Sequence, residues 1–160
     1  MLLAIDMGNT QTALGLFDGD ELVRSWRMPT DRSFTADEIH MRLLGFFQMY
    51  GISLDVVDAI AFAGVVPQLS REWHAVAERI AATTVVVGPQ TAAATKLRAA
   101  RPEQVGADRI ANAVAAERFY GAPAIVVDFG TATNIDVIDD EGYYIGGAIA
   151  PGIRISMDAL

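Results

Sequence analysis

The sequence has no cysteine. Disulfides, zinc–thiolate sites and thiol nucleophiles are therefore excluded. Histidine is scarce too: His40 and His74 are the only two, and they form no cluster. A histidine metal site or a Ser-His triad has little to draw on. Long apolar runs are missing, and none approaches the ~20 residues that span a bilayer. The opening Met1-Leu-Leu-Ala-Ile-Asp6 lacks a basic leader and is broken by Asp6, so it does not read as a signal peptide. The expectation is a cytoplasmic protein without membrane contact. Basic residues are outnumbered, 12 against 20 acidic, for a net charge of −8. That balance speaks against nucleic acid or an anionic membrane as the main partner. It leaves room for an anion held by a local site. Also missing are the Gly-x-x-x-x-Gly-Lys-Ser/Thr phosphate loop, a Gly-x-Gly-x-x-Gly after a strand and a Gly-x-Ser-x-Gly elbow.

What is present is a globular composition, 52% hydrophobic and 20% charged over 160 residues. That suits one domain or two small ones. Residues 2–5 are continuously apolar, the pattern of a strand buried on both faces. Residues 12–17 and 21–28 read as two more strands around the hairpin signal Asp18-Gly-Asp20. Thr35-Ala-Asp-Glu38 has the form of a capping box. Behind it Ile39, Leu43, Leu44 and Phe47 recur at helical spacing, up to Gly51. Residues 59–63 and 85–87 are short apolar strands. Between them Ser70 is the expected cap of a helix carrying Trp73, Val76, Ala77 and Ile80. Residues 91–104 show no period and read as a connection or irregular helix. Residues 107–120 form a helix with Ile110, Ala113 and Val114 inward, and 124–127 a fully apolar strand. Alternating strands and helices predict an α/β fold.

A long-period repeat runs through this pattern. Ala4-Ile-Asp6-Met-Gly8 is matched by Val126-Val-Asp128-Phe-Gly130. Each is an apolar strand ending in Asp, then a Gly- and Thr-containing turn, a second strand and an acidic hairpin turn. Two unrelated hairpins are the plain alternative. Such a loop has a definite chemistry. The strand delivers Asp to a sheet edge, Gly lets the backbone approach a ligand, and N–H groups and Thr hydroxyls bind phosphate oxygens. The Asp would repel bare phosphate, so it calls for a bound cation or an ordered water. A facing pair of loops is the nucleotide clamp of the sugar kinase, Hsp70 and actin group.

Four segments then narrow the reading. Asp6-Met-Gly-Asn-Thr10, Val105-Gly-Ala-Asp-Arg109, Asp128-Phe-Gly-Thr-Ala-Thr133 and Gly146-Gly-Ala-Ile-Ala-Pro-Gly152 stand in an order and spacing that resembles the type III pantothenate kinases. Trp26-Arg-Met-Pro-Thr-Asp31, Val65-Val-Pro67 and Asn112-Ala-Val-Ala-Ala116 are similar to that family too. The resemblance implies a duplicated actin-like (ribonuclease H-like) fold, with mixed sheets flanked by helices. Residues 1–120 would form the first half and 121–160 the start of a second, truncated half. It further implies an ATP-dependent kinase that phosphorylates the primary hydroxyl of pantothenate, the first step towards coenzyme A. Asp6, Gly8, Asn9 and Thr10 would be its first phosphate loop, and Gly130, Thr131 and Thr133 its second. Gly106, Ala107, Asp108 and Arg109 would bind pantothenate, with Asp108 as general base. Asp6 and Asp128 would serve metal ions: Mg2+ with ATP, and a monovalent cation, commonly K+. A homodimer would complete the pantothenate site.

The residues keep plainer readings open. Asp108 also suits the first turn of a helix, and Gly146-Gly147 and Pro151-Gly152 suit strand-end punctuation. Arg98 and Arg101 fit an exposed basic stretch or an anion route. The sequence departs from the family pattern over residues 88–95 and 98–102, where a usual tyrosine ahead of Asn-Pro is missing, and at Asn134. A non-catalytic, nucleotide-binding or regulatory relative is the rival function.

Overall fold

The computed structural model describes residues 1–91 and 96–160. Two compact units divide the chain, Met1–Val86 and Val87–Leu160.

In the first unit, strands β1 (Leu2–Met7), β2 (Gln11–Asp18) and β3 (Glu21–Pro29) form an antiparallel meander. Strands β4 (Ala59–Gly64) and β5 (Thr83–Val86) extend it on the β1 side in parallel, giving the order β3-β2-β1-β4-β5. The parallel pairs are joined through helices, as parallel strands require. Helix α1 (Ala36–Gln48) precedes β4, and α2 (Pro67–Ile80) lies between β4 and β5. Ile39, Leu43 and Phe47 of α1 and Leu69, Trp73 and Val76 of α2 pack with Leu3, Ile5 and Met7 of β1 in one core.

Three expectations are corrected here. Strand β1 buries one row only, Leu3, Ile5 and Met7, while Leu2 is exposed. Leu44 is exposed, because the buried stripe of α1 runs through Ala36, Ile39, Leu43 and Phe47. Ser70 does not cap α2. That helix begins at Pro67, whose missing N–H suits the first turn, and the Ser70 hydroxyl donates to the Val66 carbonyl at 3.2 Å.

In the second unit, β7 (Ala124–Phe129), β8 (Ala132–Ile138) and β9 (Tyr143–Pro151) repeat the antiparallel meander. The two-residue strand β6 (Lys96–Leu97) pairs in parallel with β9, so the order is β6-β9-β8-β7. The rest of the stretch read as a connection holds a 3-10 turn (Pro102–Gln104). Its residues 92–95 lie outside the described residues. Helix α3 (Ala107–Tyr120) packs on β7 and β8, and a short α4 (Ile153–Asp158) follows β9.

The two meanders match in detail. Asp6 opposes Ala13 and Asp128 opposes Asn134, across turns of residues 8–11 and 130–132. Allowing for the shorter second turn, the register shift at Leu16/Phe17 falls where the shift at Val137/Ile138 falls. Unrelated hairpins would share neither a third strand nor the place of a bulge. The fold is the duplicated actin-like α/β fold.

Candidate functional site

The first candidate loop is the β1–β2 turn. The Gly8 N–H donates to the Gln11 carbonyl at 3.0 Å and closes it. From the side, the Thr30 N–H donates to the Thr10 carbonyl at 2.9 Å, and the Thr12 and Thr30 hydroxyls lie 2.9 Å apart. The exit of β3 therefore braces the turn. Asp6, Asn9 and Thr10 remain exposed above it.

The second candidate loop has the same plan. The Gly130 N–H donates to the Ala132 carbonyl at 2.9 Å. Its brace comes from the end of β9: the Gly152 N–H donates to the Thr131 carbonyl at 3.1 Å, and the Thr133 hydroxyl to the Pro151 carbonyl at 3.4 Å. A Cβ at Gly152 would collide with the carbonyl oxygens of Gly130 and Thr131. Pro151-Gly152 is thus more than strand-end punctuation, because a side chain there would push the loop out of place. Gly130 and Thr131 are exposed, and Asp128 and Thr133 partly so. In both turns the glycine N–H is taken by the hairpin, so these glycines shape the loop.

The third candidate segment opens α3. Gly106 occupies the cap position in extended conformation, and Ala107, Asp108 and Arg109 form the first turn. Asp108 is partly exposed there, where the partial positive charge of the helix start favours a carboxylate. Arg109 points to the sheet. Its Nε donates to Asp136 Oδ1 at 2.7 Å, and its Nη2 makes an ion-pair contact with the same oxygen at 2.6 Å, without hydrogen-bond geometry. One turn on, Asn112 Nδ2 approaches Asp128 Oδ2 at 3.5 Å. Helix α3 thereby links the candidate substrate segment to the carboxylate of the second candidate loop.

Asp136 is fully buried and also accepts a 2.9 Å hydrogen bond from the Tyr144 hydroxyl. Burial pushes the Tyr144 phenol up, and its bond to the Asp136 carboxylate adds to that, to about 12. For Arg109, burial alone would lower the pKa; the bond and charge of Asp136 outweigh it, with Tyr144 and Asp108 reinforcing, and the net shift is upward. The guanidinium is therefore charged throughout. Asp136, Tyr144 and Asn112 carried no assigned role in the sequence reading. A lone aspartate inside the apolar strand Ile135-Asp-Val-Ile138 was the available signal for one of them.

Arg98 is engaged by acidic and aromatic side chains. It contacts Glu141 at 3.0 Å and Asp139 at 3.5 Å, and its guanidinium stands 3.7 Å from the centre of the Tyr143 ring. Among the described residues no three Asp, Glu or His side chains converge as a metal cage. No helix among the described residues is long and apolar enough to cross a membrane.

The sequence profile described as type III pantothenate kinase matches residues 2–160. The chain belongs to the type III pantothenate kinase family. It is 49% identical to the type III pantothenate kinase of Streptomyces coelicolor, across all of this chain and 63% of that protein. With the type III pantothenate kinase of Rubrobacter xylanophilus the identity is 46%, across all of this chain and 61% of the relative. The chain thus spans less than two thirds of the length of these family members. Among solved structures, a reductive activator for a corrinoid, iron–sulfur protein aligns with a TM-score of 0.55 at 11% identity, over 87% of this chain and 29% of that one. The ethanolamine utilization protein EutJ of Carboxydothermus hydrogenoformans gives 0.52 at 18% identity, over 94% and 51%. Likeness at such identities shows the fold alone.

Proposed function

We propose that this chain carries the nucleotide loops and acceptor segment of an ATP-dependent pantothenate kinase. The kinase transfers the γ-phosphate of ATP to the primary hydroxyl of pantothenate, the first step towards coenzyme A. The observation that carries this reading is the family match along the whole chain, with all four motif segments present. In it, the turn after Asp6, shaped by Gly8, and the turn shaped by Gly130 bind ATP phosphates through the N–H and hydroxyl groups of Asn9, Thr10, Thr131 and Thr133. Gly106, Ala107, Asp108 and Arg109 receive pantothenate. Asp108 orients the hydroxyl and accepts its proton as the oxygen–phosphorus bond forms and the bond to ADP breaks. Arg109 takes the carboxylate at the other end of pantothenate through a charge-assisted bond.

Mg2+ bound with ATP would offset charge on the phosphates, and the exposed Asp6 and part-exposed Asp128 are the carboxylates that would hold metal ions. A monovalent cation such as K+ at Asp128, a homodimer and a cytoplasmic location complete the reading.

The test is ADP release by the full-length protein with ATP, Mg2+ and K+, with and without pantothenate. Pantothenate-dependent release is expected, and its loss in Asp108→Asn with ATP binding nearly intact. Normal turnover in Asp108→Asn would remove Asp108 from the base role. No pantothenate dependence in folded protein would overturn the kinase and leave a non-catalytic relative.

A further inference from the structure

Asp136 is an expensive residue for its position. A carboxylate buried in an apolar strand is strongly disfavoured unless it is paired and hydrogen-bonded. The fold itself does not require it. In the register shared by the two meanders, Val126 opposes Asp136 where Ala4 opposes Gly15, so the first copy has a glycine at that point. Tyr144 opposes Ile138 where Leu22 opposes Phe17, so the first copy has no phenol either. Both groups are peculiar to the copy that carries the candidate substrate segment, and Arg109 and the Tyr144 hydroxyl converge on one oxygen, Asp136 Oδ1.

We propose that Asp136 and Tyr144 are a positioning pair that holds the Arg109 guanidinium ready for the carboxylate of pantothenate. This rests on the reading in which Arg109 binds that carboxylate. Asp136 engages one edge of the guanidinium, Nε and Nη2, while Tyr144 holds Asp136; Nη1 is the remaining nitrogen of the planar fork. The sheet is shaped to admit this geometry. Gly147 lies opposite Asp136, and a Cβ there would stand 2.9 Å from Arg109 Nη2 and collide with the Ile135 carbonyl. A long arginine side chain loses rotamer freedom when it grips a ligand, and here that freedom is lost on folding instead. Preorganisation of this kind raises affinity without adding a contact to the ligand. The adjoining Asp108, one residue before Arg109, is set on the same helix turn.

Steady-state kinetics of the full-length protein test the proposal, with thermal melting as the check on folding. Asp136→Asn keeps the shape and removes the charge. It should raise KM for pantothenate about tenfold or more and leave kcat and KM for ATP within about twofold. Tyr144→Phe should raise the same KM by about threefold, losing one of the two holds. Arg109→Lys should raise it as well, since an ammonium does not replace the fork. Adding Asp136→Asn to Arg109→Lys should then have no further effect, because the two act as a unit. A purely structural Asp136 would lower the active fraction, reducing kcat with pantothenate KM unchanged; that result overturns the proposal. If Asp136→Asn fails to fold, Tyr144→Phe decides: an unchanged KM for pantothenate refutes the positioning role. Should Arg109→Lys itself leave that KM unchanged, the substrate role of Arg109 falls, and the positioning pair falls with it. A KM raised by Arg109→Lys alone refutes only the pair.

Discussion

Tyr144 is where a single side chain makes the pH response of the second unit visible. Its phenol donates to the Asp136 carboxylate, and deprotonation would set two negative oxygens against each other. Burial raises its pKa above the ordinary 10.0, and the bond to Asp136 and this repulsion add to it, to about 12. A raised folded-state pKa means stability fully present below the unfolded value and lost as pH rises through the folded one. The stability difference between the native chain and Tyr144→Phe should therefore be constant below pH 10 and shrink as pH rises towards about 12. Denaturant titrations at stepped pH measure it. A difference that stays constant through this window would show that the phenol is not held by the carboxylate. The candidate phosphate-loop residues Asp6, Asn9, Thr10, Asp128 and Thr131 were legible because turn chemistry is local: Asp ends a strand, Gly bends the chain, Thr offers a hydroxyl. Asp136 was not, because an aspartate in a strand looks the same whether its face is wet or buried.

Among the elements, α1 and α2 make an instructive contrast. The start of α1 could be read directly. The Glu38 N–H donates to the Thr35 hydroxyl oxygen at 3.3 Å, and the Thr35 N–H donates to the Glu38 carboxylate at 2.9 Å. Those bonds from the Thr35 N–H and hydroxyl hold the Glu38 carboxyl below its ordinary value. The box therefore contributes at neutral pH and is lost as pH falls through the carboxylate range. Thr35→Ala should destabilise the chain by about 1 kcal/mol, read from the denaturant midpoint. Ser70→Ala, within α2, should change it by less than about 0.5 kcal/mol, as a non-cap substitution does. An equal loss in both would contradict the observed start of α2. That start was misread because Ser is a good cap in general, while Val66 caps α2 with no side-chain bond and Pro67 supplies the signal instead. Strand β1 was misread for a related reason. Its apolar run Leu2-Leu-Ala-Ile5 is the same whether helices cover one face or two.

For the molecule as a whole, the internal repeat exposes an imbalance. Leu3, Ile5 and Met7 of β1 are 0%, 3% and 0% exposed, whereas their counterparts Ile125, Val127 and Phe129 of β7 are 68%, 46% and 67% exposed. In the first unit β4 pairs with the outer edge of β1 and the helices cover this row. Strand β7 has no such neighbour among the described residues. A contiguous apolar row of this kind binds hydrophobic probes and promotes association. The 160-residue chain should bind a hydrophobic dye, and Ile125→Ser with Phe129→Ser should reduce that binding by more than half (on the order of two of three contacts removed). Dye binding that is unchanged would mean the row is covered in solution.

The sequence by itself determined the repeated strand–loop–strand plan, the capping box, the position of both Asp-Gly turns and the family. Each rests on neighbours in the chain: short apolar runs ended by Asp, a hydroxyl three residues before a carboxylate, glycine where the backbone turns. Tertiary structure alone decided which row of β1 and β7 is covered and that the bulges of the two meanders coincide. It also decided that Arg109 meets Asp136, 27 residues away. Those are pairings between distant segments, set by how helices pack on sheets, and local pattern carries no record of them.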